Sequence, residues 1–257
     1  MRSIWKGAIG FGLVNIPVKL YSATQNSDLD LDMLDKKDHS NINFKRVNAN
    51  TGKEVAWENI IRGYKLHDQY VILTDADFKS ANAKKSEIIE ITDFVNERDI
   101  DTIYFEVPYY LEPEKSGEKA YQLLNEALKK TGKAGIASFV LRKKEHLCLL
   151  RPYKKLILLN QLRFAEEIRD ETELKIPAAK KIAANEMKIA VSLINQLSSK
   201  FSIAKYKDRY RSQLLKLIQA KGKGVKIAPQ KMKVVHKSGD LMTQLKASLE
   251  KKKKKAS

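Results

Sequence analysis

Hydrophobic and polar positions alternate with a period of two over much of the first three-quarters of the chain. The alternation is clearest over residues 14–20 and 28–33, where one side of each stretch is polar. Such a pattern predicts half-buried strands. Asn50-Thr51-Gly52, between residues 43–48 and 53–57, predicts a hairpin turn in which Gly52 supplies a positive φ. Further predicted strands cover residues 70–73, 87–91, 103–107, 135–142, 146–150 and 155–159. Many short, closely spaced strands favour a closed or nearly closed antiparallel barrel.

Helical patterns interrupt and then follow these strands. One short helix is predicted after Thr74-Asp75, and another over about 117–130, with Gly132 just past its end. After Pro177 the apolar period becomes three to four, which predicts two amphipathic helices. Their apolar stripe either packs on the barrel of the same chain or reaches across a partner chain, and periodicity does not separate the two. The apolar positions are Met187, Ala190, Ile194, Leu197 and Phe201, then Tyr206, Tyr210, Leu214, Leu217 and Ile218.

The charge of the chain points to a polyanionic partner. Lys and Arg number 49 against 31 Asp and Glu, a net charge of +18 over 257 residues. Residues 221–257 hold twelve lysines against Asp240 and Glu250, a net charge of +10. Nucleic acid is the first candidate partner and an anionic membrane surface the second, while a merely solvated tail is the alternative. Hydrophobic residues make up 43%, enough for a packed core.

Other features of the composition limit the compartment and the architecture. The single cysteine, Cys148, excludes a disulfide framework and a cysteine-based zinc site within one chain. It also fits a reducing compartment. No run of 18 apolar residues is present and the N-terminus does not resemble a signal peptide, so we expect no membrane span and a cytoplasmic protein.

Motifs for catalysis, metal binding or cofactor binding are not found in the sequence. There is no complete P-loop, no Gly-x-Ser-x-Gly and no Lys-x-Asp-Gly, and the four histidines are scattered. Asp28, Asp30 and Asp32 are interpreted as a solvated strand face and not as a metal cluster. His146 and Cys148 are interpreted as a strand histidine beside a core thiol. We therefore predict a binding protein with no catalytic residue, metal or cofactor.

Basic residues cluster near predicted strand ends and loops, with few exposed aromatic residues expected beside them. No helix-turn-helix, zinc finger or base-stacking aromatic pair is visible. Lys and Arg contacts to phosphates position a protein on DNA without reading its sequence. We therefore expect recognition of shape or of ends and not of base sequence.

Several motifs, in order along the chain, resemble bacterial Ku. They are residues 4–7 (IWKG), 11–24 (FGLVNIPVKLYSAT), 44–47 (FKRV), 52–55 (GKEV), 62–64 (RGY), 109–113 (YYLEP), 119–121 (KAY), 139–142 (FVLR), 166–169 (EEIR) and 186–188 (EMK). The resemblance covers about residues 1–220. Bacterial Ku is the homodimeric DNA-end-binding family of non-homologous end joining.

The resemblance implies a mixed β and α architecture and a ring-shaped dimer. Residues 1–175 would form a Ku-type antiparallel β-barrel with DNA-encircling bridge strands. Residues 176–220 would form a helical dimerisation arm, and 221–257 a flexible basic tail. By position, residues 44–64 look like the bridge over the duplex. The expected DNA contacts are Lys6, Lys19, Lys36, Lys37, Lys45, Arg46, Lys53 and Arg62. The expected dimer-arm residues are Met187, Ile194, Leu197, Tyr210 and Leu214.

The tail resembles other bacterial Ku tails only through a short apolar motif over residues 241–249. This resemblance implies recruitment of the joining ligase, ligase D, through Leu241 and Leu245, with extra DNA affinity from the lysine run. The expected tail DNA contacts are Lys251, Lys252 and Lys253. Some relatives carry paired cysteines where this chain has Asn48 and Thr51, so any metal role there is not expected here.

The expected partners are double-stranded DNA ends, a second copy of the chain and ligase D, in the nucleoid of a bacterial cytoplasm. No membrane partner and no small-molecule substrate are expected. Two alternatives stay open. One is a general nucleoid-type polyanion-binding protein that acts through its basic tail. The other is an enzyme on DNA ends, such as a lyase that uses an activated lysine.

Overall fold

The structure is a computed structural model that describes residues 1–82, 87–142, 144–178, 181–225, 242 and 244. Its internal contacts divide the chain into two compact units. The first contains residues 1–27 and 32–171, and the second contains residues 28–31 and 172–257. The sequence-based division at residues 175 and 220 stays a prediction.

The described residues up to 225 form nine strands and four α-helices. The strands are β1 Trp5–Phe11, β2 Val14–Ser22, β3 Arg62–Leu66, β4 Gln69–Leu73, β5 Ile88–Asn96, β6 Phe105–Pro113, β7 Lys133–Leu141, β8 Lys144–Tyr153 and β9 Leu156–Leu162. The helices are α1 Asp75–Asn82, α2 Glu118–Thr131, α3 Ala184–Leu197 and α4 Arg209–Gly222. The two helices predicted after Pro177 are therefore confirmed, although Phe201 and Tyr206 lie between them and not within them.

Seven of the strands close into a barrel in the order β1-β2-β6-β9-β8-β7-β5, which confirms the predicted barrel. Its neighbours are antiparallel except for β1 and β5, which pair in parallel with Ala8 opposite Ile88. The prediction of a wholly antiparallel barrel is therefore wrong at this seam. A parallel pair needs a crossover connection, and the long chain segment between β2 and β5 supplies one.

The barrel interior is a continuous apolar core. Fully buried side chains such as Ile9, Phe139 and Leu159 come from strands all around the barrel. Helix α2 adds Leu124 and Leu128 to the same cluster. Gly132 ends this helix with a φ of 64°, as the sequence predicts, because this left-handed conformation carries little penalty for glycine. The apolar residues that alternate along the strands are therefore the ones that form the buried core of the barrel.

Residues 32–73, which we call the ribbon segment, have a different character. All residues between 31 and 72 are exposed except Asp35 and Val55, which are partly buried. The segment consists of a turn closed by a bridge between Leu34 and Asn41, a hairpin over residues 44–57, and the β3–β4 ribbon. It is a series of short two-stranded ribbons, none of which buries a core of its own.

The strand predicted over residues 28–33 is not formed, and this prediction is wrong. Residues 28–33 are not part of a strand, and among the described residues the pairing beside them is the bridge between Leu34 and Asn41, where Met33 O accepts a backbone bond from Ile42 N. The hairpin turn predicted at residues 50–52 is present, with Gly52 at a φ of 66°. Its two sides are joined by a single bridge between Val47 and Glu54.

Candidate nucleic-acid interface

The ribbon segment has almost equal numbers of basic and acidic residues. Its ability to bind an anion therefore depends on where these charges lie and not on its net charge. The segment contains seven Lys and Arg residues and six Asp and Glu residues. A phosphate backbone would be attracted only to a face from which the acidic side chains are absent or turned away. The register of each ribbon decides which charges share a face.

In the 44–57 hairpin, the register separates basic residues onto two faces. Val47 and Glu54 form a bridge, flanked by backbone bonds from Asn48 N to Lys53 O and from Val55 N to Arg46 O. Because opposed residues of an antiparallel pair project to the same side, Arg46 and Lys53 share one face. The other face carries Val47 and Glu54.

Side-chain contacts agree with this division. On the first face, Arg46 Cζ lies 4.6 Å from the centre of the Trp57 ring, a cation–π contact. On the second face, Lys45 Nζ lies 2.7 Å from Glu54 Oε2, an exposed ion pair. The charge of Lys45 is therefore partly offset by Glu54. Among the described residues, Arg46 and Lys53 have no acidic partner within 4.0 Å, so their charges are available to an anionic ligand.

Three other sequence-predicted cations lie elsewhere in the ribbon segment. Lys36 and Lys37 lie in the 35–40 turn, where the Asp35 carboxylate accepts a bond from Lys37 N. Hydrogen bonds from Ser40 hold the pKa of Asp38, in the same turn, below its ordinary value. Arg62 begins β3, and its Cζ lies 5.3 Å from the centre of the Phe78 ring in α1.

Lys6 and Lys19 lie on the barrel, directly opposite each other in the β1–β2 register. They therefore share one face of the sheet. Lys6 is exposed, and Lys19 Nζ lies 3.9 Å from Glu114 Oε1. The eight predicted DNA contacts thus fall into four groups: a barrel pair, a turn pair, the hairpin and the start of β3.

The structure also places aromatic side chains beside these cations, which contradicts the expectation of few exposed aromatic residues. The side chains of Phe44, Trp57, Tyr64 and Tyr70 are 65–78% exposed. Sequence reasoning assigned such residues to half-buried strands, whereas the ribbons leave both faces open. A usable signal was present in the sequence, because the predicted turn at Gly52 fixes which residues face each other across the hairpin.

The histidine and the thiol that share β8 are packed against other side chains of the barrel. Cys148 is fully buried in the barrel core, and burial raises the pKa of its thiol. His146 packs against Phe139 at 5.6 Å between ring centres, and burial lowers its pKa, with Lys144 adding to the shift. The described part of the chain contains no group of three or more His, Cys, Asp or Glu able to hold a metal ion.

The predicted dimer-arm residues lie on α3 and α4, neither of which contains a buried residue. Met187, Ile194, Leu197 and Tyr210 are 48–75% exposed, and Leu214 is partly buried. The predicted tail contacts Leu241, Leu245, Lys251, Lys252 and Lys253 lie outside the described residues. Within those residues, no helix is long and apolar enough to cross a membrane.

Comparison with known proteins identifies the family. The family model described as the Ku70/Ku80 beta-barrel domain matches residues 10–191. The chain belongs to the Ku family. The resemblance found in the sequence and its Ku β-barrel are thereby confirmed.

Relatives of the chain extend the match over almost its full length. A protein named non-homologous end joining protein Ku from Coxiella burnetii is 40% identical, covering 98% of this chain and 96% of that protein. The Ku protein of the same name from Bacillus subtilis is 39% identical, covering 97% and 82% respectively. Among solved structures, the SPOC domain of human PHD-finger protein 3 matches 63% of this chain and 95% of that chain, at 10% identity and a TM-score of 0.32.

Proposed function

We propose that two copies of this chain form a ring that binds the ends of double-stranded DNA during non-homologous end joining. The observation that carries this proposal is the 40% identity, over nearly the whole chain, to a protein named for that process. In this proposal the chain is a binding protein of the bacterial nucleoid, and a partner enzyme performs the chemistry.

The DNA contacts would be made to phosphates and not to base edges. Exposed cations of the ribbon segment, above all Arg46 and Lys53, support this assignment, together with Lys6 and Lys19 on the barrel. The remaining proposed contacts are Lys36, Lys37, Lys45 and Arg62. Binding releases condensed counterions, so neutralising about eight phosphates would give a log–log salt slope near −7. Such binding is independent of sequence.

Specificity for ends would come from topology. A closed ring of two chains cannot pass around an uninterrupted duplex, so it must load from an end and can then slide inward. The exposed ribbon segment supports a role in the encircling part, because two-stranded ribbons with both faces open are marginally stable without a ligand or partner.

The dimer contact would be made by α3 and α4. Their apolar residues Met187, Ile194, Leu197, Tyr210 and Leu214 would cover the partner chain. Support comes from the exposure of Met187, Ile194, Leu197 and Tyr210. Apolar helix stripes of this kind are normally covered in the stable state.

The tail would recruit ligase D through Leu241 and Leu245 and add DNA affinity through Lys251, Lys252 and Lys253. We expect deletion of residues 221–257 to weaken the stimulation of ligation. Ligation that is unchanged by the deletion would contradict this role.

The whole proposal is tested by comparing a linear duplex with the same duplex as a covalently closed circle, at moderate salt. The expected result is strong preference for the linear form, with complexes trapped on the DNA when its ends are joined afterwards. Equal binding to both forms would overturn the ring. It would instead favour general binding of polyanions through the tail. The observation that supports this alternative is the presence of twelve lysines in residues 221–257.

A further inference from the structure

The first face of the 44–57 hairpin combines aromatic rings with two cations that have no acidic partner in the part of the chain that the structure describes. We call it the aromatic–basic face: Phe44, Arg46, Asn48, Lys53, Val55 and Trp57. The register places Arg46, Asn48, Lys53 and Val55 on this side, and the Arg46–Trp57 contact places Trp57 there. Phe44 joins them by alternation along the strand.

Its aromatic rings are available to a ligand. The Trp57 side chain is 70% exposed and that of Phe44 is 78% exposed. The Arg46 guanidinium covers one face of the indole, at 4.6 Å, and no ring contact with another described aromatic residue is made by Trp57 or Phe44. A planar apolar group can therefore stack on the uncovered side of the indole.

The charge on this face fits a phosphate chain. Arg46 and Lys53 are cationic and Asn48 is neutral, while the one acidic residue at the bridge, Glu54, projects to the opposite face and pairs with Lys45. An acidic peptide would satisfy the cations but has no need of two exposed rings. Bases that stack on rings while their phosphates lie along cations are the recognition mode of single-stranded nucleic acid.

A paired duplex cannot use such a face fully, because its bases are stacked on one another and only their edges are accessible. An unpaired strand presents free base faces to exposed rings. We propose that the aromatic–basic face binds the single-stranded overhang of a DNA end, with bases on Trp57 and Phe44 and phosphates on Arg46 and Lys53. This inference rests on the proposed end-binding function and names the part of the DNA end that the hairpin recognises.

The test measures binding of the full chain to a blunt duplex and to the same duplex extended by a short single-stranded thymidine overhang. We expect the overhang to tighten binding. The Trp57→Leu substitution, which keeps an apolar side chain but removes the stacking plane, should weaken overhang binding about tenfold and leave blunt binding within about twofold. The Phe44→Leu substitution should act in the same direction.

Tyr70→Leu is the matched control, since Tyr70 is 68% exposed but lies on the neighbouring β3–β4 ribbon. It should leave the advantage of the overhang unchanged. A second readout is tryptophan fluorescence, because the chain has only Trp5 and Trp57. In a Trp5→Phe background, the overhang duplex should quench Trp57 and the blunt duplex should not.

The outcomes separate this inference from the proposed function. If blunt ends bind and neither the overhang nor Trp57→Leu changes affinity, the overhang site is wrong while end binding stands. If Trp57→Leu weakens blunt and overhang duplexes equally, the Trp57 ring contributes to duplex binding and not to overhang binding, and the inference fails. If neither duplex binds, both the proposed function and this inference fail.

Discussion

The barrel and the ribbon segment lie in one compact unit and are built in opposite ways. The barrel strands turn side chains such as Ile9, Phe139 and Leu159 into a fully buried core. The ribbon segment exposes nearly every residue, including its aromatic ones. Burial holds the barrel in one register, whereas the ribbons keep theirs through turns and a few cross-strand contacts. The barrel residues should therefore control stability, and the ribbon residues should control binding.

The largest expected effect is the loss of a core aromatic ring. Phe139 is fully buried and packs against Trp5 at 6.2 Å and His146 at 5.6 Å between ring centres. Phe139→Ala should lower the free energy of unfolding by about 3–5 kcal/mol, because it removes the ring and leaves a cavity. Urea denaturation measures the change. Phe44→Ala in the ribbon segment, the control, should change it by less than about 0.5 kcal/mol. Similar losses of unfolding free energy for Phe139→Ala and Phe44→Ala would contradict the expected difference between the barrel and the ribbon segment.

A second, smaller effect should come from Tyr121, which ties α2 to the barrel wall. Its hydroxyl donates to Leu111 O at 2.6 Å and accepts from Ile157 N at 2.7 Å, joining residues paired across β6 and β9. Tyr121→Phe leaves two buried backbone groups without this partner, so we expect a loss of about 1–3 kcal/mol. Thermal unfolding measures it, and an unchanged melting temperature would contradict this role.

The same hydroxyl predicts a dependence on alkaline pH. Burial raises the pKa of Tyr121 to about 12. Because the folded state favours the neutral phenol, its contribution to stability is complete below the ordinary pKa of about 10 and is lost as the pH rises towards 12. Between these values the wild type should lose more stability than Tyr121→Phe. The measurement is the free energy of unfolding of both proteins at several pH values between about 10 and 12. An equal loss of stability in the two proteins would contradict the prediction.

In the ribbon segment the expected effect is on DNA affinity and not on folding. Arg46→Ala and Lys53→Ala should each make the log–log slope of DNA affinity against salt concentration less steep. The change is about 1 for each phosphate that is no longer neutralised, and therefore about 2 in a ring of two chains. Fluorescence anisotropy across a salt series measures it. Lys45→Ala is the matched control, because its charge is already offset by Glu54, and it should change the slope less.

These variants should weaken binding to all sequences equally, since phosphates carry no base identity. A changed sequence preference would argue for contacts to base edges. Their melting temperatures should match that of the wild type, because both side chains are exposed.

Local sequence patterns were enough to predict most of the barrel strands, the α2 helix with its glycine end, the hairpin turn at Gly52 and the family. The strands follow from an alternation that matches burial, and α2 follows from its periodic apolar face. The helix end and the hairpin turn follow from glycine, which readily adopts a positive φ. The prediction over residues 28–33 failed because alternation indicates a strand only where a neighbouring strand is present.

Which residues lie opposite each other depends on the folded chain. The parallel seam between β1 and β5 depends on how the chain returns after β2, which no local pattern specifies. The pairing of Lys45 with Glu54, and of Arg46 with Trp57, depends on the hairpin register. Whether Trp57 is covered or exposed depends on all the surrounding chain. Charge and aromatic content are properties of the sequence, but the face that they share exists only in the folded ribbon, because side-chain direction is fixed by pairing.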